Sequence, residues 1–295
     1  MVNKKQLIII LLIIATIIII GFFMMQPKKS GTIILMNGTS SSGKSTILKE
    51  IHKQSPDFVI LKVDDFWIQE LTQKAQELGW DKEINNDPWL YLHQYLSKKT
   101  GKPYFDAELR EQLFTEISPF NIAAKNAARA GKTVVMDTVL EYESAFQQAF
   151  DYFKNEQVIM VLVYCPLDLL LERVKQRNAS GVSHETRTAF LSFEQFPAIY
   201  KVQEKNDEPI IDTVKTKAIK DALEAAIQEL IDQHIPEEYV PKLEQFKKDF
   251  IKQFKLDERE EINLVPRHHY DILFKNDASA NPQEIAQQIK KLIKA

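Results

Sequence analysis

The chain has one cysteine, Cys165, so no disulfide can close within it and a cysteine-rich metal site is excluded. That fits a reducing compartment. Basic charge is not in excess: 38 Lys and Arg stand against 41 Asp and Glu, giving a net charge of −3 and a pI near 6.1. No dense run of basic residues lies beside aromatics, and no nucleic-acid partner is expected. Ligand spacing is also missing from the histidines. His52, His93, His184 and His234 are scattered, and the adjacent His268 and His269 would point apart on a strand. All six are read as structural or surface groups. Apolar residues are not scarce: they make up 44% of 295, enough for one large α/β domain or two small ones.

Gly38-Thr39-Ser40-Ser41-Ser42-Gly43-Lys44-Ser45 has the two glycines, lysine and hydroxyl of a phosphate-binding loop at their fixed spacing. Its context agrees. Thr32-Ile33-Ile34-Leu35-Met36-Asn37 is a short β-branched run between glycines, the pattern of a central parallel strand, and Thr46 to Lys53 puts Ile47, Leu48 and Ile51 at helical spacing. Backbone N–H groups and a helix N-terminus would surround a polyphosphate held by Gly38 to Thr46, with Lys44 on the outer phosphates and Ser45 on Mg²⁺. The cofactors expected are ATP and Mg²⁺.

Further strands each deliver polar groups to the same crevice. Phe58 to Val63 ends in Asp64-Asp65-Phe66-Trp67, and in an open parallel sheet the ligand lies outside such carboxyl ends. One acid is placed to accept the proton of an attacking hydroxyl. The other would help position Mg²⁺ through water or cap the next helix. Thr133 to Met136 ends in Asp137, the form of a Mg²⁺-directed carboxylate in phosphate-loop enzymes. Val158 to Tyr164 is almost wholly apolar, and after Cys165-Pro166-Leu167-Asp168 a helix carries Arg173 and Arg177 four residues apart on one face. Near a triphosphate these guanidiniums would steady the transferred group; elsewhere they would be surface charges. The aromatic-rich stretch from Ile68 to Ala130 reads as helical and lies where an acceptor would have to sit.

The stretch from Leu7 to Met25 is uncharged and apolar except for Thr16 and Gly21. At 1.5 Å per residue it spans about 28 Å, close to the ~30 Å hydrocarbon core. An uncleaved membrane anchor is expected, with a cleaved export signal as the rival; Met25-Gln26-Pro27-Lys28 lacks a small-x-small cleavage site. Lys4 and Lys5 on one side balance Lys28 and Lys29 on the other, so charge does not orient it. A domain that uses ATP is expected on the cytosolic side.

Taken together, Asn37 to Ser45, Val63-Asp64, Val135-Met136-Asp137 and the Cys165-Pro166-Leu167 to Arg177 helix resemble the chloramphenicol phosphotransferase-like proteins, a branch of the phosphate-loop (P-loop) kinases. The resemblance covers the core, about two-thirds of the chain. It implies a three-layer α/β fold with a central parallel sheet, preceded here by one transmembrane helix, and transfer of the γ-phosphate of ATP to a hydroxyl of a small molecule. Asp64 matches that family's general base, whereas Asp-Asp-Phe-aromatic also resembles nucleoside-type kinases, in which either acid serves. The lid departs from the family: Asn178-Ala179-Ser180-Gly181 follows Arg177, and the next arginine is Arg187.

The expected organisation is an anchor and linker over 1–30 and a kinase-like domain over 31–295, with 180–266 a helical lid or insertion. Within that insertion, Phe190 to Tyr200 is rich in aromatics and helical patterns cover Lys217 to Ile231 and Val240 to Phe254. Either Ile210-Ile211-Asp212 or Tyr270 to Phe274 completes the sheet. The latter is favoured because Asn281 can cap and Pro282 can open a closing helix behind it. A nucleotide-dependent switch that orders the insertion for a partner, without phosphorylating an acceptor, is the competing function.

Overall fold

The computed structural model describes residues 30–39, 41–63, 65–66, 119–138, 140, 143–179, 186–232, 237, 240–277 and 279–294. In chain order the first elements are β1 (Thr32–Asn37), α1 (Lys44–Gln54), β2 (Val59–Lys62), α2 (Pro119–Arg129), β3 (Val134–Asp137), α3 (Glu143–Phe153), β4 (Gln157–Tyr164) and α4 (Leu167–Ala179). Next come α5 (Thr186–Ile199), β5 (Tyr200–Val202), β6 (Asp212–Lys215), α6 (Thr216–Asp232), α7 (Val240–Gln253), β7 (Glu261–Pro266), β8 (Ile272–Lys275) and α8 (Pro282–Lys294).

The main sheet has the order β2-β3-β1-β4-β8, and every pairing in it is parallel. All five carboxyl ends therefore lie on one side. Side chains alternate between the faces, as the two-residue strand period requires. Ile33, Leu35, Val134, Met136, Met160 and Leu162 enter one apolar cluster, while Ile34, Met36, Val135, Ile159, Val161 and Val163 enter the other. The second cluster is closed by Ile47, Leu48 and Ile51 of α1 and Ile285, Ala286 and Ile289 of α8, both sets at helical spacing. On the first face, α2 contributes Phe120, Ala124 and Ala128, one residue per turn.

β8 is the strand that completes the sheet, paired through Val161↔Ile272 to Tyr164↔Lys275. Ile210 and Ile211 are not part of it; β6 begins at Asp212 and belongs to a second sheet, β5-β7-β6, antiparallel throughout. The stretch expected to be helical over 180–266 thus contains strands as well. β5 and β6 span only three and four residues, too short to show a period beside their helical neighbours, whereas the six residues of β7 do alternate, with Ile262 and Leu264 buried, and were overlooked. Among the described residues this sheet has no separate core. Val202, Val214, Ile262 and Leu264 join the same cluster as Ile33 and Leu35, together with Phe190, Phe193 and Phe196 of α5 and Phe250 of α7. Phe193 meets Phe250 edge-on at 5.7 Å, and Phe196 meets Phe254 at 5.3 Å, so an aromatic seam holds α5 to α7.

Residues 7–25 and the aromatic stretch 68–118 lie outside the described residues. Among the described residues no helix is long and apolar enough to cross a membrane.

The turn that leaves β5 is organised by one carboxylate. Glu208 accepts from the Lys201 ammonium, from Glu204 N at 3.0 Å and from Lys205 N at 3.3 Å, and these bonds hold its pKa at about 2 against an ordinary 4.5. Because the folded value is depressed, the stabilisation is present above about pH 4.5 and is lost as pH falls towards 2. Glu208→Gln is therefore expected to lower the urea midpoint at pH 7, with the gap to wild type closing progressively below pH 4.5. A gap independent of pH would contradict this account.

Candidate active site

Because the strands are parallel, the polar groups that follow β1, β2, β3, β4 and β8 converge at one end of the sheet. The loop after β1 needs its glycines. Gly38 has φ of 155° and a Cβ there would sit 2.4 Å from the Val163 carbonyl oxygen. At Gly43, φ is 94° and a Cβ would meet Asn276 Nδ2 at 1.9 Å. Ser41 also takes a left-handed φ of 61°. Such a backbone turns successive N–H groups inward. α1 begins at Lys44 with no side-chain cap, the arrangement that leaves a helix N-terminus open to an anion.

Lys44 is buried, and its ammonium donates to the carbonyls of Gly38 at 2.8 Å and Thr39 at 3.0 Å. The same Thr39 carbonyl accepts from Ser42 N at 3.2 Å. The Ser45 hydroxyl donates to Asp137 Oδ2 at 3.4 Å, so the two expected metal-directed groups do meet. Burial raises the Asp137 pKa; Lys44, Ser45 and Lys62 oppose that rise, and the Asp65 charge adds to it. Asp65 comes three residues after Lys62, the residue of β2 that pairs with Asp137 of β3. Asp64 and Ser40 lie outside the described residues.

Arg173 and Arg177 both fall on α4. Arg173 reaches Ser42 O and Asn276 O, both at 3.3 Å, and so braces the loop backbone; the Arg177 side chain lies outside the described residues. Asn276 is a site residue that the sequence reading missed. Its amide donates to Ser42 O at 2.6 Å, and its own N–H donates to Tyr164 O at 2.6 Å, tying β8, β4 and the loop together. An asparagine after a short strand carries no motif, so only knowing that β8 neighbours β4 could have singled it out. Asn37, read from sequence only as a strand end and the start of the family motif, accepts from Leu140 N and donates to the Tyr270 hydroxyl, each at 3.0 Å.

The residues present suit a Mg²⁺-bound polyphosphate. The glycine cradle, the uncapped helix start and the Lys44 ammonium fit the anion, and the Ser42 hydroxyl is buried in the loop without a hydrogen-bond partner among the described residues. Among the described residues no cluster of three or more His, Cys, Asp or Glu could hold a metal alone. Mg²⁺ characteristically takes one or two protein oxygens and completes its shell with phosphates and water, which Ser45 and Asp137 would permit.

A parallel sheet of order β2-β3-β1-β4-β8, with a Gly38–Ser45 loop opening α1 and carboxylates after β2 and β3, defines a kinase or phosphotransferase of the P-loop class. The sequence profile of chloramphenicol phosphotransferase-like proteins matches residues 31–224, and the chain belongs to that family. The match stops within α6, short of β8.

No curated protein sequence matches the chain. Solved structures similar to it include the Mycobacterium tuberculosis APS kinase in complex with AMPPNP and APS, at 12% identity over 90% of this chain and 99% of that one, with a TM-score of 0.41. The tunicamycin resistance protein of Deinococcus radiodurans is similar at 13% identity over 89% and 95% of the two chains, with a TM-score of 0.36. A gluconokinase from Sinorhizobium meliloti 1021 is similar at 18% over 57% and 76%, with a TM-score of 0.33. None of the three bears on the chemistry of individual residues.

The fit at Gly43 gives a test. Gly43→Ala forces a left-handed alanine, at a cost of ~1–2 kcal/mol, and drives its methyl into Asn276. Thermal unfolding should show a loss of at least about 1 kcal/mol, and ATP binding should weaken by more than about tenfold. Retention of both would show that the loop does not depend on this approach.

Proposed function

We propose that the chain transfers the γ-phosphate of ATP to a hydroxyl of a small-molecule acceptor. The observation that carries the reading is the convergence of Lys44, Ser45 and Asp137 around a glycine cradle at the carboxyl ends of the sheet, where Asp65 follows β2. Mg²⁺ supplies charge neutralisation between the phosphates when bound. Ser45 and Asp137 would hold it. Lys44 would leave its loop carbonyls for the outer phosphates, and Asp64 or Asp65 would take the proton of the acceptor hydroxyl. Arg173 serves through the loop backbone, and Arg177, four residues further along α4, is the arginine assigned to the γ-phosphate. Phosphoryl transfer asks chiefly for positioning and charge stabilisation, which these groups provide.

The acceptor is assigned only as a hydroxyl compound. Membrane tethering through residues 7–25, with the kinase domain on the cytosolic side, rests on the hydropathy of that stretch and the domain's need for ATP. The switch remains the second reading, favoured by an added sheet that shares its core with the strands bearing the site.

ADP release by the full chain with ATP·Mg²⁺, measured alone and against a panel of hydroxyl compounds, tests the proposal. Stimulation by one compound, abolished by Lys44→Ala, is expected. Replacing the true base, by Asp64→Asn or Asp65→Asn, should cut that rate by about 10²–10⁴-fold while ATP still binds. Asp137→Asn should raise the Mg²⁺ concentration needed for half-maximal rate. A flat panel together with tight ATP binding would instead favour the switch.

A further inference from the structure

The Ser42 carbonyl is held by two donors at once. Asn276 Nδ2 donates to it at 2.6 Å and Arg173 Nη1 at 3.3 Å, although Asn276 stands 234 residues away in the chain. Peptide geometry carries this hold over to Gly43. Among the described residues no peptide bond is cis, and in a planar trans peptide the C=O and the following N–H point in opposite directions. With the Ser42 oxygen drawn towards Asn276, the Gly43 N–H is aimed away from it. Gly43 is the N-cap of α1, so this donor belongs to the uncapped helix start that a polyphosphate would meet.

Asn276 is itself firmly placed. It is only 9% exposed and directly follows β8. Its N–H donates to Tyr164 O at 2.6 Å, one step beyond the Tyr164↔Lys275 pair, so the ladder between β4 and β8 fixes its backbone. Its carbonyl accepts from Arg173 Nη2 at 3.3 Å, the same guanidinium that reaches Ser42. The Asn276 amide also fills the space beside Gly43, where a Cβ would lie 1.9 Å from Nδ2. A donor already ordered in this way loses little freedom when a ligand binds. The family profile ends at residue 224, so Asn276 lies outside the segment that carries the family likeness.

We propose that Asn276 is a positioning residue for the polyphosphate: by drawing the Ser42 carbonyl outward it aims the Gly43 N–H at the anion. This rests on the polyphosphate reading of the loop and adds the residue that sets one of its donors. The outermost strand beyond β4 thus acts on the phosphates without touching them.

The test uses the full chain labelled with ¹⁵N-glycine, since its eight glycines give a spectrum small enough to assign. The probes are Mg²⁺·tripolyphosphate, which has no base, and ATP·Mg²⁺. In wild type either probe should move the Gly43 amide proton downfield, as a new hydrogen bond to a phosphate oxygen does. Asn276→Ala should lessen that shift and weaken both probes by the same factor, roughly fivefold, the worth of one hydrogen bond. Asn276→Asp keeps the shape and turns the donor into an acceptor, and should weaken both further. A loss confined to ATP would put Asn276 at the base and not the phosphates, and would overturn the proposal. So would a Gly43 shift in Asn276→Ala equal to that of wild type, which is what a purely structural role predicts. Should the variants fail to fold, the unaltered chain decides: a Gly43 amide that stays in place while tripolyphosphate binds refutes the assignment. A wild-type chain that binds neither probe would overturn the proposed function itself, and this inference with it.

Discussion

The geometry of the site depends on how closely the phosphate loop is packed between the ends of two strands. On one side the Val163 carbonyl of β4 leaves no room for a side chain at Gly38; on the other, Asn276 after β8 leaves none at Gly43. Asn276 and Arg173 then grip the Ser42 carbonyl between those glycines. A loop held this way presents its N–H groups without first having to order them, which saves the entropy that a flexible Ser/Gly turn would lose on binding.

That packing in turn requires β1 to lie at the centre of the sheet. β1 pairs with β3 and β4, and its side chains split evenly between the two apolar clusters. Displacing it would uncover both. The two β1 neighbours and their own neighbours supply the rest of the site: Asp137 from β3, Asp65 after β2, the Cys165 turn into α4 from β4, and Asn276 after β8. The electrostatics follow from the same convergence. Burial works against the charged form of Asp137, and Lys44, Lys62 and the Ser45 hydroxyl lean the other way. Such a carboxylate stands to gain more from a divalent cation than one already solvated.

Much of this was legible before any coordinates. The strand–loop–helix around Lys44 announced itself because glycine spacing, a β-branched run and helical periodicity are all local signals. The acids after β2 and β3 were legible as well, since a strand's last residue can be read from its own run, and the choice of Tyr270–Phe274 over Ile210–Asp212 followed from the cap and proline at Asn281 and Pro282. The same local logic could not say which of Asp64 and Asp65 faces an acceptor. It also took Ser180–Pro266 for helices: the three- and four-residue strands hold too few turns of any period to be counted, and the alternation of the six-residue β7 was outweighed by the helical patterns before it.

By itself, then, the sequence determined the elements that carry a repeating pattern and the loop whose chemistry is written in consecutive residues. Tertiary structure alone decided what depends on contacts between distant segments. Asn276 meets Ser42, Tyr270 meets Asn37 and Tyr164 meets Asp212, each across more than thirty residues of chain. Nothing in the local spacing of an asparagine or a tyrosine marks it for such a role. Its partner is set by strand order, and strand order is the outcome of burying both faces of one sheet at once.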